Sequence, residues 1–265
     1  MIIERLNKLR IGYFLAAVGL LLLFPLPGAL VCHAAGFPAP SGKFTFEGKP
    51  HIGTAALTNT TVTNASLFLN GEYGSGKGYT AVFRPTVFHY ERFTIVVKLR
   101  PEKTSPRNML RSQGTVLLAG GEACRWLVLS SDEGGEVELS LNNHEFCHPI
   151  QNLTVTNGQW TTLAMTVDLQ AKTIVTYADG NRVDELLLPK DFVLDVMNDE
   201  TWKESDKVLT FTDYSDGGTI HGYIAELLTF DSILTGEQVG RLFWQRAEMG
   251  LPYIHDNYGR RSATD

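Results

Sequence analysis

Two glutamates, Glu136 and Glu138, flank Val137 in a β-type run and are the first residues that could do chemistry. The i, i+2 spacing sets both side chains on one face of a strand. A retaining glycosidase needs such a pair about 5–5.5 Å apart, one carboxyl ionised as nucleophile and one protonated as acid. Leu139, Ser140, Leu141 and Asn142 follow without a further acid, and the solvated outer face of a strand explains the pair better. His144-Glu145-Phe146-Cys147-His148 is the densest set of metal-ligand types. Histidines at i, i+4 come close enough to share a metal ion on a helix but stand about 13 Å apart on a strand, and this segment reads as a loop or strand end, so zinc is not expected there. No Ser/His/Asp set carries a nucleophile elbow, and no phosphate-binding glycine loop occurs. An enzyme is not expected.

The elements around these residues are short β-type runs separated by turn residues. Lys43–Glu47, Phe93–Leu99, Thr115–Ala119, Trp126–Ser130, Val137–Leu141, Trp160–Asp168, Thr173–Ala178, Val183–Leu188, Val208–Thr212 and Gly222–Phe230 read as strands. Thr54–Thr63 reads as a polar, Thr-rich stretch. Asp179-Gly180, with Asn181 after it, is the strongest hairpin signal in the chain. One helix is expected: Thr235 caps it, Glu237 and Gln238 lie near its start, and Val239, Leu242, Phe243 and Arg246 keep helical spacing to about Gly250. Strands at this spacing with Gly-rich turns indicate a two-sheet sandwich or jelly roll, not βαβ units.

The chain has 265 residues, 43% hydrophobic and 20% charged, which suits one large β domain and excludes intrinsic disorder. With 23 Lys+Arg against 29 Asp+Glu and no basic stripe, nucleic acid is not an expected partner. Arg5, Lys8 and Arg10 precede the apolar run Ile11–Phe24, then Pro25, Pro27 and Gly28, the pattern of a secretory signal with a cut after Ala34. The alternatives are an uncleaved anchor, the one case in which a membrane becomes a partner, and a lipoprotein cysteine at Cys32. Removing residues 1–34 leaves 20 basic and 28 acidic residues, a formal charge of −8. It also leaves two cysteines, Cys124 and Cys147, which in an oxidising compartment suggest a disulfide over two separate buried thiols. Asn59, Asn64 and Asn152 begin glycosylation sequons, meaningful only in a host that glycosylates them. Residues 35–250 form one expected domain and 251–265 a polar tail.

Gly158-Gln159-Trp160 through Asp168, then Thr173–Tyr177 and Asp179-Gly180, resembles the central hairpin of laminin-G-like jelly rolls in the concanavalin A-like lectin/glucanase superfamily. Gly222-Tyr223-Ile224-Ala225-Glu226-Leu227-Leu228-Thr229-Phe230, followed by Leu234–Val239, is similar to that family's closing strand and short helix. Phe93–Leu99 is similar to a strand that often opens such domains. The resemblance spans about residues 85–245. It implies an all-β, two-sheet antiparallel jelly-roll sandwich (concanavalin A-like) with one short C-terminal helix. Two departures stand out. Ala225-Glu226 replaces the Asp-Glu often seen in the closing strand, and the Cys124/Cys147 pair is not general in the family. Superfamily glucanases carry an Asp between their two glutamates, which Glu136-Val137-Glu138 lacks. Trp160 is expected between the two sheets, Asp179-Gly180 in a positive-φ turn, and Tyr177 and Phe230 in the core or on a sheet face.

The resemblance also implies calcium held by rim loops, for which Asp213 and Asp216 in Asp213-Tyr214-Ser215-Asp216-Gly217-Gly218 are the candidates. Sugar binding on such folds uses aromatic platforms with a few polar groups. The candidates are Trp126, Trp202, Tyr214 and His221. The function that follows is a secreted, non-catalytic module that binds carbohydrate or an extracellular protein through rim loops. The alternatives are a glycoside hydrolase or lyase using Glu136 and Glu138, and a purely structural adhesion domain.

Overall fold

Alternation of apolar and polar residues along the central strands dictates two faces, and their burial follows it. The computed structural model describes residues 37–48, 51–70, 80–102, 114–120, 125–131, 136–142, 145–194, 208–212 and 221–248. The chain divides into two units, Met1–Phe37 and Pro38–Asp265, and both sheets and the helix belong to the second.

Eight strands form the first sheet: β1 (Gly42–Thr45), β3 (Thr61–Thr63), β4 (Ser66–Asn70), β6 (Arg92–Pro101), β11 (Thr161–Asp168), β12 (Thr173–Ala178), β13 (Asn181–Leu187) and β15 (His221–Phe230). Their order is β13-β12-β11-β6-β15-β4-β3, with β1 also paired to β15. Seven strands form the second sheet: β2 (Thr54–Thr58), β5 (Thr80–Arg84), β7 (Gly114–Gly120), β8 (Arg125–Ser131), β9 (Glu136–Leu141), β10 (Phe146–Thr154) and β14 (Leu209–Thr212). Their order is β10-β9-β8-β7-β14-β5-β2. The pairings are antiparallel, which makes the protein an all-β jelly-roll sandwich, with one helix among the described residues, α1 (Gly236–Glu248).

In the central strands the core between the sheets takes one residue in two. Phe93, Ile95, Val97 and Leu99 of β6 meet Leu163, Met165 and Val167 of β11, and Leu127, Leu129, Val137, Leu139 and Leu141 face them from the second sheet. A bulge between Ile224 and Glu226 changes the phase of β15. Ile224 and Leu227 thereby enter the core, while Leu228 and Phe230 turn to the outer face. There they join Val96, Ala164 and Tyr177 under Leu234 and Val239, so α1 covers one end of the outer face of the eight-stranded sheet.

Local signals set that docking. Thr235 and Gln238 form a capping box: the Gln238 N–H donates to Thr235 Oγ1 at 3.2 Å, and the Thr235 N–H to Gln238 Oε1 at 2.8 Å. Asp179 (φ 48) and Gly180 (φ 80) close the β12–β13 hairpin as a two-residue positive-φ turn, as predicted from sequence. A Cβ on Gly180 would stand 3.1 Å from Phe243 Cβ, so the turn packs against α1. Among the described residues no helix is long and apolar enough to cross a membrane.

Candidate functional site

Beyond α1, the outer face of the eight-stranded sheet carries a row of aromatic and cationic side chains. Arg100 on β6 lies directly opposite Tyr223 on β15, which lies opposite Phe68 on β4. The Arg100 guanidinium carbon stands 4.5 Å from the Tyr223 ring centroid and 5.4 Å from that of Trp160. Lys98 Nζ lies 5.7 Å from the Trp160 centroid. Phe68 continues the row, 4.8 Å from Tyr223 and 5.3 Å from His221, centroid to centroid. Tyr223, Phe68 and His221 are half-buried, whereas Trp160 is buried.

Short-range geometry delivers each of these side chains. Gly158 (φ 77) sits in a turn closed by the Gln159 N–H donating to Thr156 O, and its own N–H donates to Pro101 O at 2.6 Å. That turn sets Trp160 beside the end of β6. Gly222 allows β15 to press against β6, since a Cβ there would stand 2.4 Å from Arg100 O and 2.8 Å from Pro101 Cα. Arg100 is steadied by an ion pair, Nη2 to Glu102 Oε1 at 2.7 Å. Its Nε, like Trp160 Nε1, is buried and meets no hydrogen-bond partner among the described residues.

Trp160 therefore departs from its expected place between the sheets. Leu163, Met165 and Val167 point into the core, so residues of the other parity point away from it, and Trp160 falls in phase with Thr162 and Ala164. Its ring is buried instead against Lys98 and Arg100. Tyr177 and Phe230 lie on the same outer face, beneath α1. The row as a whole escapes sequence reading because Arg100, Trp160, Tyr223 and Phe68 are far apart in the chain. The parity of 160, 162 and 164 was the available signal.

Of the sequence candidates for ligand binding, His221 joins this row. Trp126 lies on β8, in the other sheet. Trp202, Asp213, Tyr214, Asp216 and Cys124 lie outside the described residues, as do residues 1–34 and 251–265. The described ends from which three such segments depart are neighbours: Asn70 pairs with His221, and the Glu102 N–H donates to His221 O at 2.7 Å.

Glu136 and Glu138 share the outward face of β9, Val137 and Leu139 between and beside them being core residues. Ser140 Oγ donates to Glu138 Oε1 at 3.2 Å. The acid pair and the aromatic row thus occupy opposite outer faces of the sandwich. His144 lies outside the described residues, and the described residues 145–148 do not converge either. Glu145 precedes β10, Cys147 is exposed opposite Ser140, and His148 turns to the other face, where Nε2 meets Asp184 Oδ2 at 2.7 Å. Among the described residues no group of three or more His, Cys, Asp and Glu is placed to hold a metal ion.

Solved structures share this architecture. The binding domain of botulinum neurotoxin serotype G matches over 79% of this chain and 51% of its own, at 14% identity and a TM-score of 0.56. A Trypanosoma rangeli sialidase, solved with difluorosialic acid as a covalent intermediate, matches over 87% of this chain and 36% of its own, at 16% identity and a TM-score of 0.59. The binding domain of botulinum neurotoxin DC, in complex with SialylT, matches over 73% and 46%, at 14% identity and a TM-score of 0.52. The likeness is one of fold. This chain spans about a third to a half of those chains' length. No family model and no curated protein matches it.

Proposed function

We propose that this protein is a glycan-binding module of laminin-G-like type that binds without turning its ligand over. The observation that carries this reading is the row Trp160, Arg100, Tyr223, Phe68 and His221 on the outer face of the sheet. Rings in such a row offer apolar faces to sugar C–H groups, and the flanking cations and imidazole supply polar contacts. The row ends at His221, the first residue of β15. Structural neighbours that include toxin binding domains and sialidases, one of them solved with SialylT, support a glycan ligand in general terms. The hairpin Trp160–Gly180 and the closing strand with α1 support the laminin-G-like type.

Binding without turnover rests on the separation of Glu136 and Glu138 from the row. A ligand on the outer face of the eight-stranded sheet has a sandwich about 10 Å thick between it and both carboxyls. The test is a glycan array probed with the full chain and with Tyr223→Ala. Retained glycans should be lost or weakened about tenfold in the variant, a change equal to one stacking contact. Undiminished binding by Tyr223→Ala would move the site elsewhere.

A further inference from the structure

We infer that β2 is a self-association surface, pairing antiparallel with the β2 of a second copy of this chain across a two-fold axis. The two borders of the sandwich differ. On one border β13 ends the eight-stranded sheet and β10 the seven-stranded sheet, and both carry features that oppose strand addition. β13 contains Arg182, Asp184 and Glu185. β10 has Pro149 and a register shift, and His148 Nε2 meets Asp184 Oδ2 at 2.7 Å, tying the two edges together. The opposite border lacks these devices. Among the described residues β2 pairs only with β5 and β3 only with β4, and Asn59-Thr60 alone separates β2 from β3. From Ile52 to Asn70 the chain holds no charged residue and no proline. The β2–β5 register runs unbroken from Thr54 to Thr58, without a bulge.

A strand edge presents backbone N–H and C=O groups that another extended strand can satisfy. Charge selects a second copy as that strand. The chain carries a net charge of −6, so two copies repel at long range and associate best where no charge meets its own image. A two-fold axis at Ala56 sets Ala56 opposite Ala56, Ala55 opposite Leu57 and Thr54 opposite Thr58. No like-charge pair arises in that register, the Thr pairs favour it, and facing residues lie on the same side of the joined sheet. A partner selected through ion pairs finds no counter-charge on this strip, whereas an uncharged strand leaves no charge stranded against it. This chain's own β2 is such a strand. Ala55 packs at the margin of the core, and Leu57, in phase with it, is exposed. Pairing lays each Leu57 beside the second copy's Ala55 and covers its apolar surface. The two seven-stranded sheets thereby become one.

The experiment is equilibrium sedimentation of the full chain over a range of concentrations. The parent should form a reversible dimer. Ala56 is exposed, so Ala56→Lys leaves the core untouched but sets two ammonium groups against each other, and should weaken the dimer about tenfold or more. Ala56→Glu should do the same. An equimolar mixture of the two variants should regain the parent's affinity, because an ammonium then faces a carboxylate across the axis. A parent chain still monomeric at about 100 μM overturns the inference, since a specific dimer would have formed by then. So does a dimer that both variants leave intact, which assigns association to residues 1–34 or to another face. A mixture that stays as weak as its components overturns it too. Circular dichroism of each variant separates a lost dimer from a lost fold, and the double variant Thr54→Lys with Thr58→Lys repeats the test if Ala56→Lys does not fold. Tyr223→Ala should dimerise like the parent, so the glycan-binding reading and this one stand or fall separately.

Discussion

Asp179 holds Thr162 by two hydrogen bonds: Asp179 Oδ1 accepts the Thr162 N–H at 2.8 Å, and the Asp179 N–H donates to Thr162 O at 2.8 Å. The β12–β13 turn is thereby tied back to β11, two residues past Trp160. Asp179 adopts φ 48, a conformation that Asp and Asn tolerate better than Ala. Asp179→Ala should cost about 2 kcal/mol, combining a stranded Thr162 N–H with the strained backbone. Asp179→Asn keeps an acceptor and the backbone preference, and should cost less than about 0.5 kcal/mol. Urea unfolding of the two variants checks this. Equal losses would show that the carboxylate's charge, not its acceptor oxygen, matters.

Thr94 performs a similar task beneath α1. Its fully buried hydroxyl donates to Ser232 O at 2.8 Å and accepts the Leu234 N–H at 3.0 Å, fixing the chain just before the Thr235 cap. Thr94→Val has nearly the same shape and strands both backbone groups, with an expected loss of about 2–3 kcal/mol. Thr94→Ser retains the hydroxyl and should lose about 1 kcal/mol, the value of a buried methyl. Thermal unfolding would refute the assignment if Ser proved as damaging as Val.

Elements whose two faces differ in hydrophobicity were legible in the sequence. The β11–β12–β13 meander, the Asp179-Gly180 turn, the closing strand and the Thr235 cap follow from local pattern alone. The edges did not. Thr54–Thr63 reads as polar because β2 and β3 are edge strands with mostly exposed residues, so no alternation marks them. In β10, another edge strand, Pro149 and a register shift break the pattern. The apolar run Leu67-Phe68-Leu69 hides its outward member, since Leu67 and Leu69 are core and Phe68 belongs to the row. The sequon residues Asn59, Asn64 and Asn152 all have positive φ, a backbone conformation that asparagine tolerates, between strands at Asn59 and Asn64 and at the register shift of β10 at Asn152. Strand order adds a constraint that cysteine counting lacks. Cys147 is opposite Ser140 and Ser140 opposite Val128, so Arg125 stands two strands across and three residues along, roughly 14 Å away. Bridged Cα atoms lie within about 7 Å, and peptide mapping without reduction tests whether Cys124, next to Arg125, reaches Cys147.

The outward placement of Glu136 and Glu138 predicts that neither affects the ligand. A double variant, Glu136→Gln with Glu138→Gln, should bind glycans within about twofold of the parent chain, as surface changes remote from a site usually do. Neither protein should release reducing ends from the polysaccharides that bind. Turnover by the parent chain that disappears with Glu138→Gln would establish a hydrolase and displace the binding reading.

Tyr177 makes stability depend on alkaline pH. Its ring packs with Leu228, Phe230 and Val239 between sheet and helix, and burial raises its phenol above the usual value of about 10, with Arg182 lowering it and Glu185 raising it. Below pH 10 both folded and unfolded chains hold this proton, and the group adds no pH dependence. Above it the unfolded chain releases the proton while the folded chain keeps it, so stability falls as pH rises toward the folded value. The chain has eight other tyrosines, so the informative quantity is a difference. Tyr177→Phe cannot ionise, and its melting temperature should fall less than the parent's between pH 9 and pH 11. Parallel curves for the two proteins would mean that α1 lifts from the sheet before the phenol titrates, and that the helix, not the phenol, is the weak point at high pH.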